Sequence, residues 1–143
     1  MSASGVGDFA FIEGTMDEHV YLNILREQFM PSIQKLGLEG RYMFQQDNDP
    51  KHTAKLVQEW LIHNVRQQLR NPPQSPDINP IEHLWEELKR RMRKTEVSNK
   101  EELKARVTEE WNNIPREVTR KLVHSMPNRL RAIIKANGYA TKY

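Results

Sequence analysis

The chain has 143 residues, a formal net charge of +3 and no cysteine. Its length is typical of one domain, and the lack of cysteine excludes a disulfide scaffold and any cysteine-based zinc site. Residues 1–85 contain 7 Lys and Arg against 11 Asp and Glu, whereas residues 86–143 contain 15 against 8. The acidic half could hold cations and the basic half could face a polyanion such as DNA, although a solvated surface explains the same pattern.

The amino-terminal part predicts a strand followed by a helix. Residues 5–14, GVGDFAFIEG, place apolar side chains between turn-forming glycines, which is typical of a strand. Thr15 and Glu18 form a capping-box pattern that opens the helix, and Gly37 and Gly40 end it. No long apolar run or signal peptide is visible, which favours cytoplasm or nucleus and no membrane span.

Next comes a short buried strand over residues 41–47, RYMFQQD, whose carboxyl end bears Asp47. Asp49 is expected to cap the following helix, with Pro50 at its first position. The helix has an apolar stripe made by Leu56, Val57, Trp60 and Leu61. By position, residues 65–71, VRQQLRN, should form another strand, although they are unusually polar.

A proline-rich loop leads to a third helix, for which Asn79 is the expected N-cap and Pro80 the first residue. The apolar stripe of this helix consists of Ile81, Leu84, Trp85, Leu88 and Met92. A fourth helix is expected to open at Ser98, with a stripe of Leu103, Val107 and Trp111. The tail, residues 115–143, predicts one or two further short helices broken by Pro127 and Gly138. The alternation of strands and helices indicates an α/β domain with some parallel pairing.

Two carboxylates are candidates for a metal site. Asp47 follows a predicted strand, Glu82 lies in the first turn of a predicted helix, and 34 residues separate them. Two carboxylates held together are costly unless cations neutralise them or one keeps its proton, and Mg²⁺ and Mn²⁺ favour such oxygen ligands. From the residues alone two alternatives stay open, since Asp47 could simply end its strand in an Asx turn and Glu82 could pair with Asn79 in a capping box. Likewise, Lys51 and His52 could contact phosphates or could be a solvated lysine and a turn histidine.

The stretches QQDNDPKHT and PPQSPDINPIEHLWEELKRR resemble the transposases of the mariner superfamily, of the Tc type. GVGDFAFIEGTMD and SMPNRLRAIIKANG are similar to that family as well, so the resemblance covers essentially the whole chain. It implies a ribonuclease-H-like fold and a catalytic triad of two aspartates and one glutamate, of which the last two fall on Asp47 and Glu82. It further implies Mg²⁺ or Mn²⁺ as cofactor, cleavage of DNA at transposon ends, joining of the 3′ hydroxyl to a TA target, and a nuclear location, and it allows a homodimer.

Two departures from the family pattern give further expectations. The family's first aspartate and first strand lie upstream of the segment that matches residues 5–14, so we expect a catalytic domain that is incomplete at its amino end. The whole chain, 1–143, is then a partial domain with a core remainder over 5–94 and carboxyl-terminal helices over 95–143. The second departure is the segment 65–71, VRQQLRN, where the family has a more apolar strand, usually with a tryptophan at the position of Asn71. We interpret it as a change in an old copy no longer under selection.

Two other functions remain as alternatives. In the first, the chain is a non-catalytic DNA-binding remnant whose basic cluster contacts phosphates in a salt-dependent, sequence-blind way. The cluster consists of Lys89, Arg90, Arg91, Arg93 and Lys94. In the second, the chain is an inert fragment that does not fold cooperatively.

Overall fold

The computed structural model describes residues 1–72, 75–93, 97–137, 139 and 141. The chain forms two compact units: unit 1 comprises Met1–Phe9 and Pro76–Tyr143, and unit 2 comprises Ala10–Ser75. Across the described ranges, no helix has the length and apolar content needed to span a membrane.

Unit 2 contains a parallel pair of strands and three helices. Its elements are α1 (Glu18–Lys35), β1 (Phe44–Gln45), α2 (Pro50–Thr53), α3 (Lys55–Asn64) and β2 (Gln68–Leu69). The two strands pair with Phe44 opposite Gln68 and Gln45 opposite Leu69. Both strands that sequence reasoning placed at 41–47 and 65–71 are therefore present and parallel, but each is only two residues long.

Helix α1 begins and ends with recognisable caps. The side chain of Asp17 accepts a hydrogen bond from the backbone N–H of Val20 and is the N-cap, so the predicted capping by Thr15 is wrong by two residues. At the other end Gly37 has a φ of +61°. Its N–H donates to the Gln34 carbonyl, while the next N–H donates to the Ile33 carbonyl. This Schellman motif explains why the helix stops where the sequence places a glycine.

The core of unit 2 lies between α1 and α3. Its buried members are Leu22, Leu25, Val57 and Leu61. Helix α3 therefore points two of its four predicted stripe residues into the interior, and Leu56 and Trp60 pack at the edge of the same cluster. Burial of aliphatic side chains of this kind contributes about 1.5–3 kcal/mol each.

Unit 1 is helical. Its elements are a 3₁₀ turn (Pro76–Ile78), α4 (Ile81–Met92), α5 (Lys100–Asn112), α6 (Arg116–His124) and α7 (Met126–Lys135). Helix α4 begins one residue later than predicted, with Pro80 in the cap position, although the Asn79 side chain still accepts from the Ile81 N–H at 3.4 Å. Both α5 and α6 pack against α4. The subdivision of the chain at residue 95 stays a prediction.

The remaining helix ends also differ slightly from expectation. Helix α5 is capped by Asn99, whose side chain accepts from the Glu102 N–H, one residue beyond the predicted Ser98. Pro127 lies in the first turn of α7, where a missing N–H costs little, so it opens that helix and does not break it. Gly138, the other predicted breaker, lies outside the described residues.

The predicted strand over residues 5–14 is wrong. Residues 6–13 form no strand, and Gly5 makes only an isolated bridge with Ser2. Alternating apolar residues specify a half-buried face but not a hydrogen-bonding partner for the backbone. Here an aromatic side chain attaches the segment to the rest of unit 1. Phe9 packs against Trp85 and Trp111 at 5.9 and 5.2 Å between ring centroids.

These aromatic contacts belong to the core of unit 1. Its buried members are Val6, Leu84, Leu88, Trp111 and Ile114. The predicted stripe of α4 is confirmed, since Leu84 and Leu88 are buried and Trp85 packs against the cluster. The predicted stripe of α5 is confirmed only in part, because Leu103 is 44% exposed.

Candidate divalent-metal site

Asp47 lies two residues beyond β1, at the point where the chain turns toward α2. Its Oδ1 accepts a hydrogen bond from the Asp49 N–H at 3.1 Å, which is the geometry of an Asx turn. The same oxygen lies 2.5 Å from Nδ1 of His52. The carboxylate is 57% exposed, and its second oxygen makes no hydrogen bond to the part of the chain that the structure describes. Asp47 thus forms the Asx turn, but the turn uses only one of its two carboxylate oxygens.

The histidine that contacts Asp47 is held by its surroundings. The His52 side chain is only 16% exposed, and its ring lies 4.0 Å from the ring of Tyr21. The Tyr21 hydroxyl donates to Oε1 of Gln46 at 2.8 Å. Gln46 and Gln58 each donate to the His52 carbonyl at 2.9 Å. His52 therefore faces Asp47 and the interior of unit 2, and its predicted role in contacting DNA stays a prediction.

Tyr21 was not predicted as part of this site. Burial, and secondly the negative charge of Asp47, raise the pKa of its hydroxyl, which stays protonated and able to donate. In the sequence, Tyr21 fits the helical period of α1 and therefore looks like an ordinary residue of an apolar stripe. Gln46 was likewise missed, since a polar residue in a turn gives no periodic signal.

Lys51 is paired with the residue that caps α2. Its ammonium group lies 2.7 Å from Oδ2 of Asp49, and its N–H donates to the other oxygen at 3.0 Å. The side-chain hydrogen bond from Lys51, followed by the backbone one, holds the pKa of Asp49 below its ordinary value. The predicted N-cap Asp49 and first-turn Pro50 are both confirmed. Asp49 is thus explained by helix capping.

Glu82 lies in the first turn of α4, as predicted. Its side chain is exposed, and within the described ranges its carboxylate makes no hydrogen bond or ion pair. The capping-box alternative required that carboxylate to bind back to the Asn79 N–H, and this contact is not formed. Asp47 belongs to unit 2 and Glu82 to unit 1.

The basic cluster of α4 is partly neutralised. Glu87 accepts from Arg90 at 2.7 and 2.8 Å and from Arg91 at 2.8 Å. These hydrogen bonds, that of Arg90 first, lower the pKa of the Glu87 carboxyl. Lys89 and Arg93 are exposed, and Lys94 lies outside the described residues. The cluster therefore presents fewer available cations than its sequence suggests.

The donor chemistry fits a hard divalent cation. One oxygen of Asp47 and both oxygens of Glu82 are available, and Mg²⁺ and Mn²⁺ prefer carboxylate oxygen. Taken over the described residues, however, no group of three or more His, Asp and Glu side chains is arranged to hold a metal. Each of the two carboxylates thus offers oxygen of the kind that these cations bind, and the role of Asp47 and Glu82 as metal ligands stays a prediction.

Residues 2–104 match the family of DDE superfamily endonucleases, and the chain belongs to that family. It is 44% identical over 142 residues to the transposable element Tcb1 transposase of Caenorhabditis briggsae. It is 43% identical over 143 residues to the transposable element Tc1 transposase of Caenorhabditis elegans. Both matches cover 99% of this chain and 52% of the relative, so the chain spans about half the length of these curated relatives. The resemblance to Tc-type transposases is confirmed.

The fold is also that of known transposases. The catalytic domain of the Mos1 mariner transposase matches with a TM-score of 0.87 at 21% identity, covering 98% of this chain and 72% of that one. The predicted ribonuclease-H-like fold class is thereby confirmed. Mos1 structures with Mn and with Mg match equally well, and another is a paired end complex. DDE transposases use divalent metals, as these Mos1 structures illustrate.

Proposed function

We propose that this chain acts in DNA transposition, with Asp47 and Glu82 as ligands of Mg²⁺ or Mn²⁺ in the cleavage and strand transfer of transposon DNA. The observation that carries the proposal is that both carboxylates lie inside the matched residues 2–104 and retain available oxygens in the structure. The Asx turn uses only one oxygen of Asp47, and Glu82 does not form the capping box.

The surroundings of Asp47 suit the role of a ligand. The turn fixes Oδ1 through the Asp49 N–H, and Oδ2 makes no hydrogen bond within the described part of the chain. His52, held against Tyr21, limits the rotation of the same carboxylate. When two divalent cations are bound, they activate a water or hydroxyl and stabilise the leaving oxygen of a phosphodiester. In this proposal Asp47 and Glu82 contribute carboxylate ligands to such a site, and further ligands are required to complete it.

The partner in this proposal is DNA, namely transposon ends and a TA target. Of the cations predicted to meet phosphates, Lys89 and Arg93 are exposed, whereas Arg90 and Arg91 are bound by Glu87. Lys51 is half-buried and paired with Asp49, so it would have to leave that ion pair to bind a phosphate. Chromosomal DNA as substrate implies a nuclear location. Synapsis of two transposon ends is compatible with a homodimer.

Thermal unfolding with and without Mn²⁺ tests the metal ligands directly. If the site assembles, Mn²⁺ at 100 times its Kd stabilises the wild type by about 2.7 kcal/mol, and Asp47→Asn and Glu82→Gln lose that gain. Glu117→Gln is the matched control, since Glu117 is also an exposed acid in the first turn of a helix. A Mn²⁺-induced gain that survives in both ligand variants would overturn the proposal.

A DNA-binding role without catalysis is the second candidate, and exposed Lys89 and Arg93 are the observation that favours it. The double variant Asp47→Asn with Glu82→Gln separates the two functions. A catalytic role predicts the loss of metal-dependent nicking. A purely binding role predicts that DNA affinity is unchanged or slightly higher, because two negative charges are removed from the protein.

A further inference from the structure

Asn71 connects the end of β2 to the turn that bears Asp47. Its Nδ2 donates to the Gln46 carbonyl at 2.9 Å, and its Oδ1 accepts from Nε2 of Gln45 at 3.2 Å. Its backbone carbonyl accepts from Nδ2 of Asn48 at 3.0 Å. Asn71 therefore forms hydrogen bonds with Gln45 and Gln46, which precede Asp47, and with Asn48, which follows it.

The turn needs such a connection because the strand ladder is short. The strands β1 and β2 pair over two residues each, and the pairing ends at Gln45 and Leu69. Asp47 lies beyond that last pair. Apart from Asn71, the turn is held by its own Asx hydrogen bond, by the start of α2 and by side-chain contacts of Gln46 and Asp47. None of these connects it to β2.

The chemistry of asparagine suits this position. A carboxamide offers both a donor and an acceptor at the end of a short, stiff side chain, so one residue can satisfy a carbonyl and an amide at the same time. An indole offers a single donor and no acceptor. The tryptophan of the family pattern could not make both side-chain contacts, so Asn71 here has a specific structural use and is not explained by decay.

We propose that Asn71 is a positioning residue for Asp47: it holds residues 46–48 so that the Asp47 carboxylate keeps its orientation toward a bound cation. The inference rests on the proposed function for its metal-binding consequence. Its first part, the immobilisation of the turn, stands without any metal and can be measured separately.

The test compares Asn71→Ala with Asn64→Ala in the 143-residue chain. Asn64 is the matched control because its Nδ2 also donates to a backbone carbonyl, that of Trp60 at 2.8 Å, within unit 2 and away from Asp47. Backbone ¹⁵N relaxation reports the immobilisation. The order parameters of Asp47 to Asp49 are expected to fall from about 0.85 to below about 0.6 in Asn71→Ala and to stay unchanged in Asn64→Ala.

A Mn²⁺ titration, in which electron paramagnetic resonance measures the free ion, gives the Mn²⁺ affinity of each variant. Removing a group that orients a metal ligand typically weakens metal affinity by about tenfold or more, so Asn71→Ala is expected to bind Mn²⁺ about tenfold more weakly than Asn64→Ala. Asp47→Asn serves as the reference for complete loss. Wild type that binds no Mn²⁺ would overturn the proposed function, whereas wild-type affinity in Asn71→Ala would overturn the positioning role alone.

Asn71→Asp covers the case in which the alanine variant does not fold. It keeps the shape and the acceptor for Gln45 but loses the donor to the Gln46 carbonyl. It is expected to raise the mobility of residues 47–49 as well. Order parameters that remain rigid in this variant would show that the turn does not depend on Asn71 and would overturn the proposal.

Discussion

The indole N–H of Trp111 donates to the carbonyl oxygen of Gly7 at 2.9 Å, in the buried interior of unit 1. This bond and the stacking of Trp111 on Trp85, 5.1 Å between centroids, attach the amino-terminal segment to α5. Trp111→Phe keeps an aromatic ring but leaves a buried carbonyl without a donor. We expect it to lower the free energy of unfolding by about 1–3 kcal/mol in urea denaturation.

The control for Trp111 is Trp60→Phe in unit 2. The indole N–H of Trp60 donates to no residue in the described part of the chain, although its ring packs against Phe29 at 6.0 Å. The control is therefore expected to cost less than Trp111→Phe, because it removes ring area but no hydrogen bond. Equal losses in the two variants would show that the Gly7 hydrogen bond contributes nothing beyond ring packing.

Arg129 is 2% exposed and its guanidinium joins α7 to the 3₁₀ turn. It donates to the Asp77 carbonyl at 3.1 Å and to the Ser125 hydroxyl at 2.8 Å. Arg129→Met keeps the length of the stem and leaves these acceptors without their donors, so we expect a loss of about 1–3 kcal/mol in the free energy of unfolding. Arg131→Met, at an exposed position of the same helix, should change it by less than about 0.5 kcal/mol.

Glu87 should make the stability of unit 1 depend on pH. Its hydrogen bonds to Arg90 and Arg91 lower its pKa in the folded state below the ordinary value of 4.5. Its contribution is therefore present above pH 4.5 and is lost as the pH falls through the lower, folded-state value. We expect Glu87→Gln to be less stable than wild type by about 0.5–1 kcal/mol at pH 7, with the difference vanishing in strong acid.

Urea titrations of the wild type and Glu87→Gln between pH 7 and pH 2 would measure this difference. Glu86→Gln is the neighbouring control, because the Glu86 side chain is 74% exposed and contacts only His83, at 3.4 Å, among the described residues. A difference for Glu87 that is independent of pH would show that its ion pairs do not contribute through its charge.

Most helices followed from the sequence because amphipathic stripes and caps are local signals, although the single helix predicted after Asp49 is divided at Ala54 into α2 and α3. Asp49 and Pro50 were predicted without error, while the starts of α1 and α5 shifted by a few residues to nearby Asp17 and Asn99. The strand at 5–14 failed because alternation describes a side-chain face and gives no information about a backbone partner. The polar strand at 65–71 succeeded because its position in the α/β order outweighed its composition.

The site was predictable only in its carboxylates. Motif resemblance pointed to Asp47 and Glu82, whose chemistry is visible in their side chains. The supporting residues Tyr21, Gln46 and Asn71 act through hydrogen bonds between segments as much as 26 positions apart. Such bonds depend on the fold and leave no periodic or compositional signal in the sequence.

The discontinuity of unit 1 has a consequence for the order of folding. Gly7 and Trp111 are 104 positions apart, and closing a flexible loop of that length costs about 4 kcal/mol of chain entropy in addition to a constant. Unit 2 is a single continuous segment between them and needs only shorter closures. If unit 2 forms first, the loop that unit 1 must close is already compact. Val57→Ala, which destabilises unit 2, should therefore slow the formation of the unit 1 core, although Val57 is not part of that core.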